Sequence, residues 1–283
     1  MSQSKQIYFH VGLGKTGTTY LQYDVFPKFK GIHYIQRTKY RNDKYVNIIK
    51  KTNHNKYLVS NEFDRQLETE TTKIAAHYPD ARPIIVLRQH DGWMASQYRR
   101  QVKNGRSLLF NEFLDLSKDT GDWKINDVYY YPKLLTLEKN FNHKPFVLFY
   151  DDFKKDAHKF FNRLASYIGA TYNQEDINLN PRHRSYNEKQ LKCIRYVSRH
   201  VFRQQTNYSD QYYLRKIQKQ SRMLARYMVL YSSLLIPDSW LDDEPLIPPS
   251  DLEKVRVFYE SDWQKCLKYA KENNASLEQD IRK

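Results

Sequence analysis

A lysine sits inside a glycine turn close to the start of the chain, in a setting that can hold an anion. Residues 7–21 read Ile-Tyr-Phe-His-Val-Gly-Leu-Gly-Lys-Thr-Gly-Thr-Thr-Tyr-Leu. Residues 7–11 form a short apolar, β-rich run that Gly12 ends, and a helical pattern begins near Thr16–Thr19. Strand, glycine turn and helix together cradle a phosphate, because glycine lets backbone N–H groups close on the anion and the positive helix end faces it. Lys15 adds an ammonium, and Thr16, Thr18 and Thr19 add hydroxyls. The spacing departs from the nucleotide-triphosphatase loop, G-x-x-x-x-G-K-[ST]. Gly12, Gly17 and Thr19 fit that pattern, but Thr18 holds the lysine position and the loop's lysine is Lys15. Such a loop suits a 5′-phosphate-like group and lacks the lysine that reaches β- and γ-phosphates.

A second group suited to an anion follows at residues 88–96. Arg88 ends the clearest apolar run in the chain, residues 82–88, and Ser96 stands in the early turns of the next expected helix, 92–103. A guanidinium and a hydroxyl so placed can converge beside that helix's N-terminal half. The competing reading is an arginine paired with a local acid and a serine facing water. Glu62 follows another short run, 57–60, and is a candidate general base. It can equally serve as a carboxylate partner of Lys15 or Arg88. His10 and His90 are fallback bases, although a strand-end histidine is more often structural.

The loop His10-Val-Gly-Leu-Gly-Lys15-Thr-Gly-Thr-Thr-Tyr-Leu21 resembles the 5′-phosphosulfate loop of sulfotransferases that use 3′-phosphoadenosine-5′-phosphosulfate (PAPS). The family form is close to Pro-Lys-x-Gly-Thr-Thr-x-Leu, and Gly14 stands where proline is usual. Val-Leu-Arg88 with Ser96-x-Tyr98 resembles the family's 3′-phosphate motif. Phe149-Tyr150-Asp151-Asp152-Phe153 is similar to its Tyr-Glu-Asp-Leu element, and Asn180-Pro-Arg-His-Arg184-Ser185 to its late loop over the cofactor. Ser-Asn-Glu62 looks like the Ser-x-Glu segment of several carbohydrate sulfotransferases, where a glutamate is the base.

The resemblance implies a P-loop-like sulfotransferase fold and transfer of a sulfuryl group from PAPS to a hydroxyl or amine. It implies Lys15 and Glu62 as catalytic residues. It implies Gly14, Lys15, Thr16, Gly17, Thr18, Thr19, Arg88, Ser96, Arg184 and Ser185 as PAPS-binding residues. It calls for no metal.

These groups need a scaffold, and the chain's patterns supply one. Strands are expected at 7–11, 31–36, 57–60, 82–88 and 145–150, with helices over 18–29, 37–56, 69–78, 92–103, 108–116, 131–140 and 155–168. Asp91 is expected to cap the helix at 92, and Asp151-Asp152 the helix at 155. Alternating strands and helices imply α/β architecture: a central, mostly parallel sheet flanked by helices. Beyond residue 178 the pattern is mainly helical (188–203, 209–235 and 252–273). The expectation is one domain over 1–283, with an α/β core at 1–178 and C-terminal helices at 179–283 packed on it.

The 283 residues are 40% hydrophobic and 28% charged, which excludes a disordered chain. The net charge of +15 favours anionic partners. Arg182, Arg184, Lys189, Lys192, Arg195, Arg199 and Arg203 form either a solvated face or a track for an acidic glycan. Two cysteines, Cys193 and Cys266, imply no disulfide framework. Without an evident signal peptide or apolar span, the expectation is a cytoplasmic protein, with peripheral membrane contact among the partners its charge allows.

The expected acceptor is a glycan or glycolipid. The alternatives are a small metabolite or lipid acceptor, a nucleotide kinase, and a basic nucleic-acid-binding protein. The kinase is disfavoured by Thr18 at the lysine position, and nucleic-acid binding has no need of the Lys15 loop.

Overall fold

The computed structural model of the chain describes residues 5–179, 186–202 and 208–280. Five strands form its sheet: β1 (Gln6–His10), β2 (His33–Ile35), β3 (Lys56–Ser60), β4 (Arg82–Leu87) and β5 (Phe146–Phe149). Their order is β2-β3-β1-β4-β5, and every pairing is parallel. All five carboxyl ends therefore lie along one edge. The order changes direction between β1 and β4: β1 is followed in sequence by strands on one side of it, and β4 and β5 lie on the other. That switch point is where an open α/β sheet leaves a crevice for a ligand.

The apolar runs lack alternation because both faces are covered. On one face Tyr8, Leu58, Ile84, Val86, Phe146 and Leu148 share a core with Phe160, Phe161, Leu164 and Ile168 of helix Ala157–Ile168. Leu21, Val25 and Phe26, from the helical segment after the glycine turn, join the same core. On the other face Phe9 packs against Tyr40 and Phe63, with ring centroids 6.1 and 6.2 Å away.

The chain divides into two compact units. The first comprises the described residues of Met1–His90, Asn126–Arg182 and Tyr259–Lys283, and it contains the sheet. The second comprises those of Asp91–Ile125 and His183–Phe258 and is helical, with helices Glu188–His200 and Tyr212–Ser232 packed together.

Several expected elements change shape for physical reasons. The helix expected at 18–29 is helical from Thr18 to Lys28 but changes pitch. It is α over Thr18–Tyr20, π over Leu21–Val25 and 3-10 over Phe26–Lys28. The helix expected at 37–56 contracts to Lys44–Lys51, because Asn42 and Asp43 adopt left-handed conformations (φ 57° and 53°). The one expected at 108–116 contracts to Phe110–Phe113.

Asp91 does not cap the helix after β4. That helix starts at His90, and the Asp91 carboxylate instead takes the Arg256 guanidinium at 2.6 and 3.1 Å. Nor do Asp151 and Asp152 cap the helix after β5. They lie in a separate short helix, Tyr150–Lys155, and Asp156 caps Ala157–Ile168 by accepting from Lys159 N. Gly169 ends that helix, with φ 61°.

Candidate active site at the sheet edge

β1 releases the chain at His10, and the turn that follows is held from both sides. Val11 N donates to Ile84 O, Asn61 N to His10 O and Phe63 N to Gly12 O, at 2.9, 3.0 and 3.1 Å. Within the turn, Thr16 and Thr18 are buried, and each hydroxyl donates to Leu13 O, at 2.7 and 2.8 Å. These hydroxyls close the loop on itself, so their contribution toward an anion is through the main chain. Gly14 N donates to Asp64 Oδ1 at 2.8 Å. Asp64 is a loop support that sequence reasoning missed, because a lone Asp four residues past a strand carries no motif.

Gly17 begins the helix at Thr18 in a left-handed conformation (φ 83°), and no side chain caps it. Its first-turn N–H groups thus face the loop, the arrangement an anion exploits. Lys15 is also left-handed, at φ 72°. That geometry is rare for a side chain with a Cβ and marks a position the surroundings impose. Lys15 is exposed.

Gly12 is required by close approach. A Cβ there would lie 2.6 and 2.7 Å from the His10 ring atoms Cε1 and Nε2. The His10 ring cannot give way, since it is fully buried, its Nδ1 is 2.8 Å from Ser60 Oγ, and Phe26 packs on it. Gly12→Ala is expected to destabilise the protein by about 1–3 kcal/mol through overpacking, read as a lowered denaturation midpoint. An unchanged midpoint would mean that the turn has room to spare.

Burial pushes His10 down to about 3, because the charged ring would lose its hydration. The unfolded chain protonates near 6.5 while the folded chain does not, so the folded state loses stability as pH falls between those values. From pH 6.5 to 5 this group alone removes roughly 2 kcal/mol. Denaturant titrations should show a flatter acid limb in His10→Gln; superimposable limbs would exclude the effect.

Along the same edge, β4 delivers Arg88. Its Nη1 donates to Lys15 O at 3.3 Å, and its guanidinium lies 4.8 Å from the Tyr150 ring centroid, at the end of β5. A Cβ on Gly17 would be 3.4 Å from both Tyr150 and Phe153. Loop, Arg88 and Tyr150 thus form one continuous wall across β1, β4 and β5. Ser96 is half-buried, within helix His90–Lys103, and belongs to the second unit. Arg184 and Ser185 lie outside the described residues, as do Arg182 and Arg203 of the basic track.

On the other side of the loop, β3 delivers Glu62. Its Oε1 accepts from Thr19 Oγ1 at 3.4 Å and lies 3.5 Å from Arg37 Nη1. Only 16% of the Glu62 side chain is exposed. Arg37, in the turn after β2, was missed because it is 25 positions from Glu62 in a generally basic stretch. Of the fallback bases, His10 is sealed under Gly12. His90 is buried between the Tyr130 and Tyr259 rings, with Nε2 3.1 Å from Asp262 Oδ2. Asp262 also accepts from the backbone N–H groups of Tyr130 and Tyr131, at 2.8 and 3.1 Å. Both histidines serve as packing.

A five-stranded parallel sheet with a lysine-bearing glycine loop at its switch point defines an α/β protein of the P-loop-like class. No family model matches the chain, and no curated protein matches it. Among solved structures it is similar to a sulfotransferase from Alicyclobacillus acidocaldarius, at 13% identity and a TM-score of 0.49, over 83% of this chain and 98% of that one. It is also similar to mouse sulfotransferase SULT7A1 complexed with PAP, at 16% identity and a TM-score of 0.40, over 61% of this chain and 60% of that one. Both likenesses are distant, and the functional reading rests on this chain's own residues.

Proposed function

We propose that the chain is a PAPS-dependent sulfotransferase acting on a hydroxyl or amine of a glycan or glycolipid acceptor. The observation that carries this reading is the bond from Arg88 Nη1 to Lys15 O at the switch point. It sets an anion-binding turn and a guanidinium side by side, so one nucleotide bearing two separate phosphates can span them. The turn's main-chain N–H groups hold the 5′-phosphosulfate. Arg88, steadied on the Tyr150 face, holds the 3′-phosphate, with Ser96 as the further candidate from the resemblance. The same resemblance extends the nucleotide site to Arg184 and Ser185.

In the reaction, Glu62 takes the acceptor's proton as the acceptor oxygen or nitrogen bonds to sulfur. The bond from sulfur to the bridging oxygen breaks, and its electron pair stays on the 5′-phosphate of the departing adenosine 3′,5′-bisphosphate. Lys15 meets the charge growing on that oxygen. Arg37 and Thr19 hold the Glu62 carboxylate in place. The net charge of +15 suits an anionic acceptor and, with the loop, supports a glycan over a neutral metabolite.

Calorimetry on Arg88→Ala tests the assignment. A charge-assisted bond to phosphate contributes about 1.5–3 kcal/mol. Affinity for adenosine 3′,5′-bisphosphate should therefore fall roughly 10- to 150-fold, while affinity for ADP stays level. Equal losses for both nucleotides would remove Arg88 from the 3′-phosphate.

A further inference from the structure

Lys15 stands in a backbone conformation that its own side chain opposes. At φ 72° its Cβ crowds the following carbonyl, so the residue stays there only if its surroundings are fixed. Three bonds frame it. Thr16 Oγ1 donates to Leu13 O at 2.7 Å, closing the turn across Lys15. Arg88 Nη1 donates to Lys15 O at 3.3 Å, and Gly14 N donates to Asp64 Oδ1 at 2.8 Å. The residue before Lys15 and the carbonyl after it are thus both held by charged side chains.

Asp64 is itself anchored through its neighbours. Phe63 N donates to Gly12 O at 3.1 Å, and the Phe63 ring stacks on Phe9 with centroids 6.2 Å apart. On the other side, Arg65 Nε is 3.1 Å from Asp127 Oδ2. A carboxylate fixed in this way is a rigid post for the turn.

Its charge points to a purpose. The turn is built to attract an anion, and a carboxylate bonded to that turn repels one. For nucleotide affinity alone, a neutral acceptor would be better placed there. What the charge adds is a stronger bond to Gly14 N, and so a firmer backbone under Lys15. Arg88 has a second task in the proposed reaction, the 3′-phosphate, whereas Asp64, an anion, takes no part in holding phosphate.

We propose that Asp64 is a positioning residue, which holds Lys15 in its left-handed conformation and thereby aims the ammonium at the leaving-group oxygen. The inference rests on the assignment of Lys15 to the leaving group. Its test combines Asp64→Ala and Asp64→Asn with the Lys15 variants, and reads kcat as release of adenosine 3′,5′-bisphosphate from PAPS. Asp64→Ala should lower kcat roughly 10- to 100-fold, the loss that follows when a reacting group is misplaced by about an ångström. Affinity for adenosine 3′,5′-bisphosphate should hold or rise, because a repelling charge has gone. Asp64→Asn, whose amide oxygen can still accept from Gly14 N, should restore most of the lost kcat. In a Lys15→Ala background, Asp64→Ala should change kcat less than about twofold.

A kcat within a few-fold of wild type in Asp64→Ala would overturn the proposal. So would a joint fall of kcat and affinity, a full further loss on top of Lys15→Ala, or an Asp64→Asn as impaired as Asp64→Ala. Denaturation midpoints read the clamp without PAPS. Lys15→Gly should raise the midpoint of the wild type and not that of Asp64→Ala, where an unheld turn lets Lys15 relax. An equal rise in both would overturn the proposal whatever the activity. A wild type that transfers no sulfuryl group, yet shows the midpoints coupled, would fail the reaction and still support the clamp.

Discussion

Lys15→Ala is expected to lower kcat by about 10²–10³-fold, the loss typical when a fixed donor at a developing oxyanion is removed. The lysine's special backbone makes the prediction separable from misfolding. Lys15 is exposed and held at φ 72°, so truncating its side chain removes little packing. Lys15→Gly goes further: glycine adopts that conformation freely, and the folded protein should gain roughly 1 kcal/mol. A variant more stable than the wild type and yet as impaired as Lys15→Ala can only have lost chemistry. Adenosine 3′,5′-bisphosphate lacks the sulfuryl group, so its affinity should fall much less than kcat. Single-turnover kinetics with PAPS, paired with denaturant titration of both variants, reads all three effects. A kcat within a few-fold of wild type in Lys15→Gly would remove the lysine from the leaving-group side.

Glu62→Gln is expected to reduce kcat by about 10²–10⁴-fold, the span covered by a positioned general base. The amide keeps the size of the carboxylate and can still meet Thr19, so nucleotide binding should be unchanged. It cannot accept a proton. It also loses the ion pair with Arg37, which is 45% exposed and therefore of little consequence for stability. A variant with near-normal kcat would leave the Glu62 carboxylate a structural partner of Arg37 and Thr19.

Much of this site is legible in the sequence because it depends on local order. The apolar runs before Lys15, Glu62 and Arg88 announce parallel strands, and parallel strands end at one edge by construction. Gly12 and Gly17 stand where the backbone needs them, one for clearance from His10 and one for a positive φ.

What escaped is what depends on distant partners. The Asp91 carboxylate could not be known to prefer Arg256, 165 positions away, over a cap. Arg37 reaches Glu62 only because β2 lies beside β3. The three loop threonines look alike in sequence. The fold commits Thr16 and Thr18 inward to Leu13 O and turns Thr19 toward Glu62.

The central claim is that the turn around Lys15 and the Arg88 guanidinium grip two phosphates of one nucleotide. Isothermal titration of the wild-type protein with adenosine 3′,5′-bisphosphate, ADP and ATP tests it directly. The account predicts that the 3′,5′-bisphosphate binds at least tenfold more tightly than either of the others. ATP binding as tightly as the bisphosphate, or more so, would contradict it and return the loop to the nucleotide kinases.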